Sequence, residues 1–391
     1  MNLPTWMRAV LTRLQRQNAA REVPWSGLDD RDPASCQVGV AVPGPLLDRI
    51  QHVIEGVRDG NLQQVDLEAA VSDLTALSPA AVPAASAAVA ELILLSRHVS
   101  GDLPAWRHRE ADLAHLCATA GLDRLFVFHP DGYVREAALR MPGGPARTAF
   151  EIAAIAYRLN DWALPVRLSA RSAALRLFPA AAAEAAAEAL LFLLDRMPEW
   201  QRWRAEQEDN GRVLDDLMMR TDVCARLAER LCTARTGRMG KRLQRAARWS
   251  GLDPFLPDLA RHAVLPSVRA CALRFLIEER ATWPEGYRRE WIDKSYGLTR
   301  RVRVIGERRF VRTSELETLI AQGAQDRSAV VRRVAADGLA VHRAALGDRM
   351  HALVERLADD TSPSVRWRAA FILKERAARS SGTSVPQPTR R

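Results

Sequence analysis

Asp326-Arg-Ser-Ala-Val-Val-Arg-Arg-Val-Ala-Ala-Asp-Gly-Leu339 is followed, 34 residues on, by Asp360-Thr-Ser-Pro-Ser-Val-Arg-Trp-Arg-Ala-Ala-Phe-Ile-Leu373. The leading Asp, the Ser, the Val-Arg pair, the Ala pair and the closing Leu hold the same internal positions in both segments. Val331, Ala335, Ala336 and Leu339 recur at helical spacing and form one apolar stripe. Asp326 and Asp360 stand just ahead of the stripe, where a carboxylate can accept the orphan N–H groups of a helix start. Further copies lie upstream. Asp161 precedes Val166-Arg167 and Ala170, and shorter matches are Val134-Arg135 with Ala138 and Val268-Arg269 with Ala272. Successive Val positions are 32, 102, 63 and 34 residues apart, close to whole multiples of one unit. A period of this size describes stacked helix pairs, each too small to bury its own apolar face.

The Asp…Val-Arg-x-x-Ala-Ala-x-x-Leu pattern resembles the HEAT-repeat family, and within it the short bacterial HEAT-like repeats, also called phycobilin-lyase-type repeats. The resemblance is carried by residues 326–373, then 129–178 and 262–277, and covers about two thirds of the chain. It implies an all-α fold, an α-solenoid of stacked antiparallel helix pairs, and a binding or scaffolding role. It also implies that Arg332 and Arg366 bond across the turns between repeats. The tetratricopeptide family shares the period, but its Trp-x-x-Leu-Gly-x-x-Tyr pattern is absent.

Composition agrees with a folded helical chain. The 391 residues are 48% hydrophobic and 27% charged, with only 6% aromatic. Nearly every base is Arg, Lys occurring only at 241, 294 and 374, which suggests a GC-rich bacterial genome. The net charge of +10 is uneven: residues 1–200 carry 19 basic and 23 acidic side chains, residues 201–391 carry 38 and 24. That asymmetry points to an acidic partner for the C-terminal half, with a solvated Arg-rich face as the plain alternative. Five cysteines without a Cys-x-x-Cys pair argue for free thiols in a cytoplasmic protein. The N-terminus lacks a signal peptide's apolar core, and no run of 18 apolar residues predicts a membrane span.

Along the chain, residues 1–18 predict an amphipathic helix capping the array. Residues 19–45 predict a loop, 46–120 an irregular helical part, and 121–282 and 313–379 HEAT-like repeats. The tail 380–391 predicts disorder. Leu46, Ile50, Val53, Ile54 and Val57 make a helical stripe that Gly60 can end. The segment 180–194 reads as a buried helix, being almost wholly apolar. Residues 283–312 interrupt the repeat. There Arg301–Ile305 and Arg308–Arg312 flank Gly306-Glu307, which predicts a tight hairpin with a type II′ turn.

Two basic segments are the candidate binding residues. Arg235, Arg238, Lys241, Arg242, Arg245 and Arg248 crowd one helical face inside a stretch, 230–252, that contains no acidic residue. The insertion adds Arg288, Arg289, Arg301, Arg303, Arg308 and Arg309, interleaved with Tyr287 and Trp291. Arg forks beside aromatic rings suit phosphates and bases, whereas Arg alone suits carboxylates. An acidic protein surface is the leading expectation for the partner, and nucleic acid is the alternative.

Catalytic and metal patterns are lacking. None of the eight histidines is followed by Glu, so the His-Glu pairs of the HEAT-repeat di-iron hydroxylases are missing. His115 and Cys117 sit two apart, pointing away from each other on a helix. No Gly-x-Ser-x-Gly elbow or phosphate-cradling Gly-rich loop occurs. The expectation is a non-enzymatic chain without a cofactor. A minority reading follows from the DNA-alkylation glycosylases built of HEAT-like pairs. Asp161-Trp162 is the only adjacent Asp-Trp pair, and no motif carries catalytic positions across.

Overall fold

The computed structural model describes residues 41–99, 104–142, 144, 146–200, 202, 207–343 and 348–380. The expected N-terminal helix of residues 1–18, nearly all of the 19–45 loop and residues 381–391 of the tail lie outside this range. The described residues carry eighteen α-helices and one two-stranded sheet, 70% helical, so helix-on-helix packing supplies the core.

The first four helices are α1 (Gly44–Asp59), α2 (Gln64–Thr75), α3 (Val82–Val99) and α4 (Ala105–Ala118). Helix α1 ends as its sequence predicts, on Gly60 at φ 67, whose N–H bonds back to the last turn. Next come α5 (Asp123–Phe126), α6 (Gly132–Arg140), α7 (Ala149–Arg158), α8 (Leu164–Leu177) and α9 (Ala183–Arg196). A capping box opens α7: Thr148 Oγ1 accepts from the Glu151 N–H while Glu151 accepts from the Thr148 N–H. Helix α9 is the apolar segment, and Ala186, Ala187, Ala189, Leu190, Leu193 and Leu194 are all buried. Then follow α10 (Gln207–Met219), α11 (Thr221–Thr233), α12 (Met239–Ala246), α13 (Leu256–His262) and α14 (Pro266–Glu278). Beyond the hairpin lie α15 (Leu316–Ala324), α16 (Ala329–His342), α17 (Asp348–Ala358) and α18 (Pro363–Ser380).

Helices pack mainly on sequence neighbours and on the next helix but one. Thus α16 lies against α14, α15 and α18, and α9 against α7 and α11. The stripes face these contacts: Val331, Ala335, Ala336 and Leu339 of α16 are buried, as are Val365 and Ala369 of α18. One helical stretch, Pro79–Arg97, is long and apolar enough to cross a membrane by length and composition. In this fold its Val82, Ala85, Val89 and Ile93 are buried in the core.

A recurring Arg–Asp device joins successive units. The motif Arg turns one terminal nitrogen back onto the carbonyls five and six residues earlier. Arg135 reaches Pro130 and His129, and Arg269 reaches Val264 and Ala263. Arg167, Arg332 and Arg366 repeat the same geometry. The rest of the fork, in three copies, grips the Asp of the following unit with two bonds: Arg135 to Asp161 at 3.0 and 2.9 Å, Arg269 to Asp326 at 2.7 and 2.8 Å, Arg332 to Asp360 at 2.6 and 2.9 Å. Each of these Asp residues also accepts the backbone N–H two residues on. Arg109 and Asp131 make one further link of the same kind, through Nε at 2.9 Å.

The spacing of the pairs locates the insertion. Arg135–Asp161 and Arg332–Asp360 span 26 and 28 residues, but Arg269–Asp326 spans 57. The excess matches the hairpin, β1 (Arg280–Asp293) and β2 (Leu298–Arg309). The Phe310 N–H closes its base on the Glu279 carbonyl at 3.2 Å. The chain therefore leaves the helical array and returns to the same ladder position.

The hairpin differs from its sequence reading in its strands and its turn: the expected strands Arg301–Ile305 and Arg308–Arg312 are not partners, since β2 runs through Arg301–Arg309 and pairs with β1 upstream. Gly306-Glu307 is not the turn: Gly306 pairs with Trp283 and Glu307 with Thr282, well inside the sheet. The turn falls between Asp293 and Leu298, with Gly297 at φ 66 and Asp293 accepting the Ser295 N–H. Strand β1 was hard to see because Pro284, Gly286 and a run of charges break its alternation, and a register shift between Pro284 and Gly286 absorbs the break.

Candidate basic cleft

Arg308 is the anchor that seats the hairpin. Its guanidinium holds the Asp253 carboxylate through two nitrogens and donates to the Ala247 and Trp249 carbonyls, both at 2.8 Å. These carbonyls end α12, so the hairpin base is fixed beside the first basic segment. Helix α12 is in turn pressed onto α14. A Cβ on Gly240 would stand 2.8 Å from the Ser267 carbonyl oxygen, which leaves room only for glycine.

The docked hairpin and the α12 region enclose a cleft of about 350 Å³. Arg245, Arg248 and Trp249 line it from the helical side, Tyr287, Arg301 and Arg303 from the hairpin, and Leu194, Met197 and Pro198 from the end of α9. The two basic segments, some 50 residues apart in the chain, thus meet at one place. Glu285 is the one acidic side chain among the lining residues, and the Trp283 Nε1–H donates to it at 3.2 Å.

The fourteen expected site residues divide by what they bond. Arg242 and Arg245 both hold Asp195, and Arg245 also donates to the Leu194 carbonyl at 2.7 Å. They pin α12 to α9. Burial, which the nearby Asp195 charge only partly offsets, holds the Arg245 guanidinium below its ordinary pKa. Arg288 shares Glu290 with Arg300, and Arg308 is committed to Asp253. Arg235, Arg238, Lys241, Arg248, Arg289, Arg301, Arg303 and Arg309 form no ion pair with any described residue.

The two faces of the hairpin are unlike. Directly paired residues share a face, so Tyr287, Arg289 and Trp291 lie with Arg303, Arg301 and Thr299. This face continues from the cleft towards the turn and carries no acidic side chain along these six positions. Tyr287 and Trp291 are 58% and 59% exposed, and the Arg301 guanidinium lies 4.7 Å over the Tyr287 ring. On the opposite face Arg288 and Arg300 both pair with Glu290.

The sequence expectation named Arg245, Arg248, Tyr287, Arg301 and Arg303, which line the cleft, but not the residues that shape it. Met197 and Asp195 carried no signal, because their roles depend on α9 and α12 meeting. The weak cue for Trp249 was its place beside Arg248 at the end of the acid-free stretch. Asp161, named in the glycosylase reading, is buried with Arg135 and Arg158 and caps the turn before α8. No group of three or more His, Cys, Asp or Glu that could hold a metal occurs among the described residues. Of the described cysteines all four are free; burial pushes the Cys224 thiol up to about 11 and Cys271 up to about 12. No family model, curated protein or solved structure matches this chain.

Proposed function

We propose that the chain is a non-catalytic scaffold, a HEAT-like α-solenoid, that holds an anionic segment of a macromolecular partner in the cleft between the inserted hairpin and α12. One observation carries this reading. Arg248, Arg301 and Arg303 line one cleft, and none has a carboxylate partner among the described residues. Elsewhere this protein pairs its arginines freely, through Asp161, Asp195, Asp253, Asp326 and Asp360. Three unpaired guanidinium groups facing one concavity raise the local anion concentration and offer forked donors to a carboxylate or phosphate. The repeat motif and the Arg–Asp ladder support the solenoid part of the reading, since each unit leaves an apolar face that only its neighbour can cover.

The test is binding of two polyanions, a poly-glutamate peptide and an oligonucleotide, to the wild type and to an Arg248→Gln/Arg301→Gln/Arg303→Gln variant. At least one polyanion should bind the wild type, weaken as salt rises, and bind the variant with a flatter salt dependence. Equal binding by both proteins at every salt concentration places the site elsewhere.

A further inference from the structure

We infer that the occupant of this cleft, and of the hairpin face that extends it, is single-stranded nucleic acid; this rests on the anionic-cleft reading above. The aromatic rings decide between the two polyanions. An acidic protein segment needs only the cations. The acid-free face adds Tyr287 and Trp291, both more than half exposed, with Arg289, Arg301 and Arg303 interleaved. Exposing two large rings leaves apolar surface in water, and a partner with flat π-faces recovers it. Guanidinium groups beside the rings supply the phosphate contacts, and Arg301 already occupies one face of Tyr287 in the way an arginine flanks a stacked base.

Geometry favours single strands over duplex. Tyr287 and Trp291 lie four residues apart on β1, which places them about 13 Å from one another. Adjacent bases in a helical stack rise only about 3.4 Å. Rings so far apart take bases from an unstacked, extended strand, and a duplex keeps its bases inside. The opposite face provides the contrast within the same element. It carries Glu290 between Arg288 and Arg300, so both guanidinium groups are already engaged by a carboxylate, whereas Arg289, Arg301 and Arg303 have no such partner among the described residues.

The experiment is fluorescence anisotropy with a labelled oligothymidine, a duplex of equal charge and a poly-glutamate peptide, each titrated against the full chain across a salt series. The single strand should bind most tightly, with log affinity falling linearly in log salt. Trp291→Ala and Tyr287→Ala should each weaken the single strand by roughly 5- to 150-fold and leave the duplex and peptide unchanged. Trp291→Phe should keep most of the affinity, because a phenyl ring still stacks; a merely electrostatic site would respond to none of these changes. Arg301→Gln with Arg303→Gln should reduce the salt slope by about 1.4, or roughly 0.7 per lost phosphate contact. All of these side chains are exposed, and an unchanged thermal midpoint checks that the variants fold. Single strand bound no tighter than duplex, or full affinity in Trp291→Ala, overturns the inference. If poly-glutamate binds through the three cleft arginines and the oligonucleotide does not, the inference fails while the anionic-cleft reading stands. If neither binds, both fail.

Discussion

Arg269 shows what the repeated arginine does. Its guanidinium is almost fully buried, takes both oxygens of Asp326, and caps the Ala263 and Val264 carbonyls that end the preceding helix. Removing one partner of such a pair strands a buried charge and two carbonyls. Arg269→Ala should therefore cost about 3–5 kcal/mol in urea unfolding. Among the described residues Arg366 caps only the Asp360 and Thr361 carbonyls, and it is exposed, so Arg366→Ala should cost about 1 kcal/mol or less. The ladder also sets an acid limit. At Asp326, burial works to raise the carboxyl, and the Arg269 and Ser328 hydrogen bonds outweigh it and hold the pKa below the ordinary carboxylate value. At Asp360 the Arg332 bond is the largest influence, again downward. A depressed folded pKa means that the stabilisation is complete above the unfolded value of about 3.9 and is lost as pH falls through the lower folded value. Stability should be flat near neutrality and fall below about pH 4. In Asp360→Asn that fall should be shallower, from a lower starting stability. An equally steep fall in the variant would mean that Asp360 is not one of the groups responsible.

At the scale of elements, the hairpin is an insertion held by a few polar bonds at its base. Beyond Ala281, which is buried, its residues are half-exposed or exposed. Arg308 links it to Asp253 and the end of α12, and β2 offers few apolar contacts that could substitute. Arg308→Ala should speed amide exchange across Leu298–Arg309 and open the cleft while leaving α16 and α18 protected. If exchange in β2 is unaltered, the strand pairing alone fixes the hairpin's position. The same variant separates the two halves of the cleft, so it should weaken any anion that needs Arg248 and Arg301 together.

Across the whole molecule, contacts run mainly between near neighbours in sequence. Helices α16 and α18 touch α14, α15 and α17, and no principal contact joins them to α1–α4. Stability is then a sum of local units and the interfaces between them. Arg332→Ala, which cuts the link to Asp360, should raise hydrogen exchange in α17 and α18 and leave α1 to α4 unaffected. Uniform loss of protection along the chain would show that the described residues unfold as a single cooperative body.

Sequence alone determined the elements whose cause is local. Periodic Val, Ala and Leu set the helical stripes, Gly60 closed α1, and the offset between two copies of one motif gave the repeat. These readings need only the residues within one or two turns. The hairpin was visible as an interruption but misread in register, because pairing over 30 residues depends on both strands and β1 hides its period behind Pro284 and Gly286. The cleft was wholly a matter of tertiary structure. Nothing in the spacing of Arg242 and Arg248 distinguishes the one that Asp195 neutralises from the one left facing the cleft. Whether a charge is free depends on which carboxylate the fold brings within about 3 Å, and here the partners come from helices some 50 residues away.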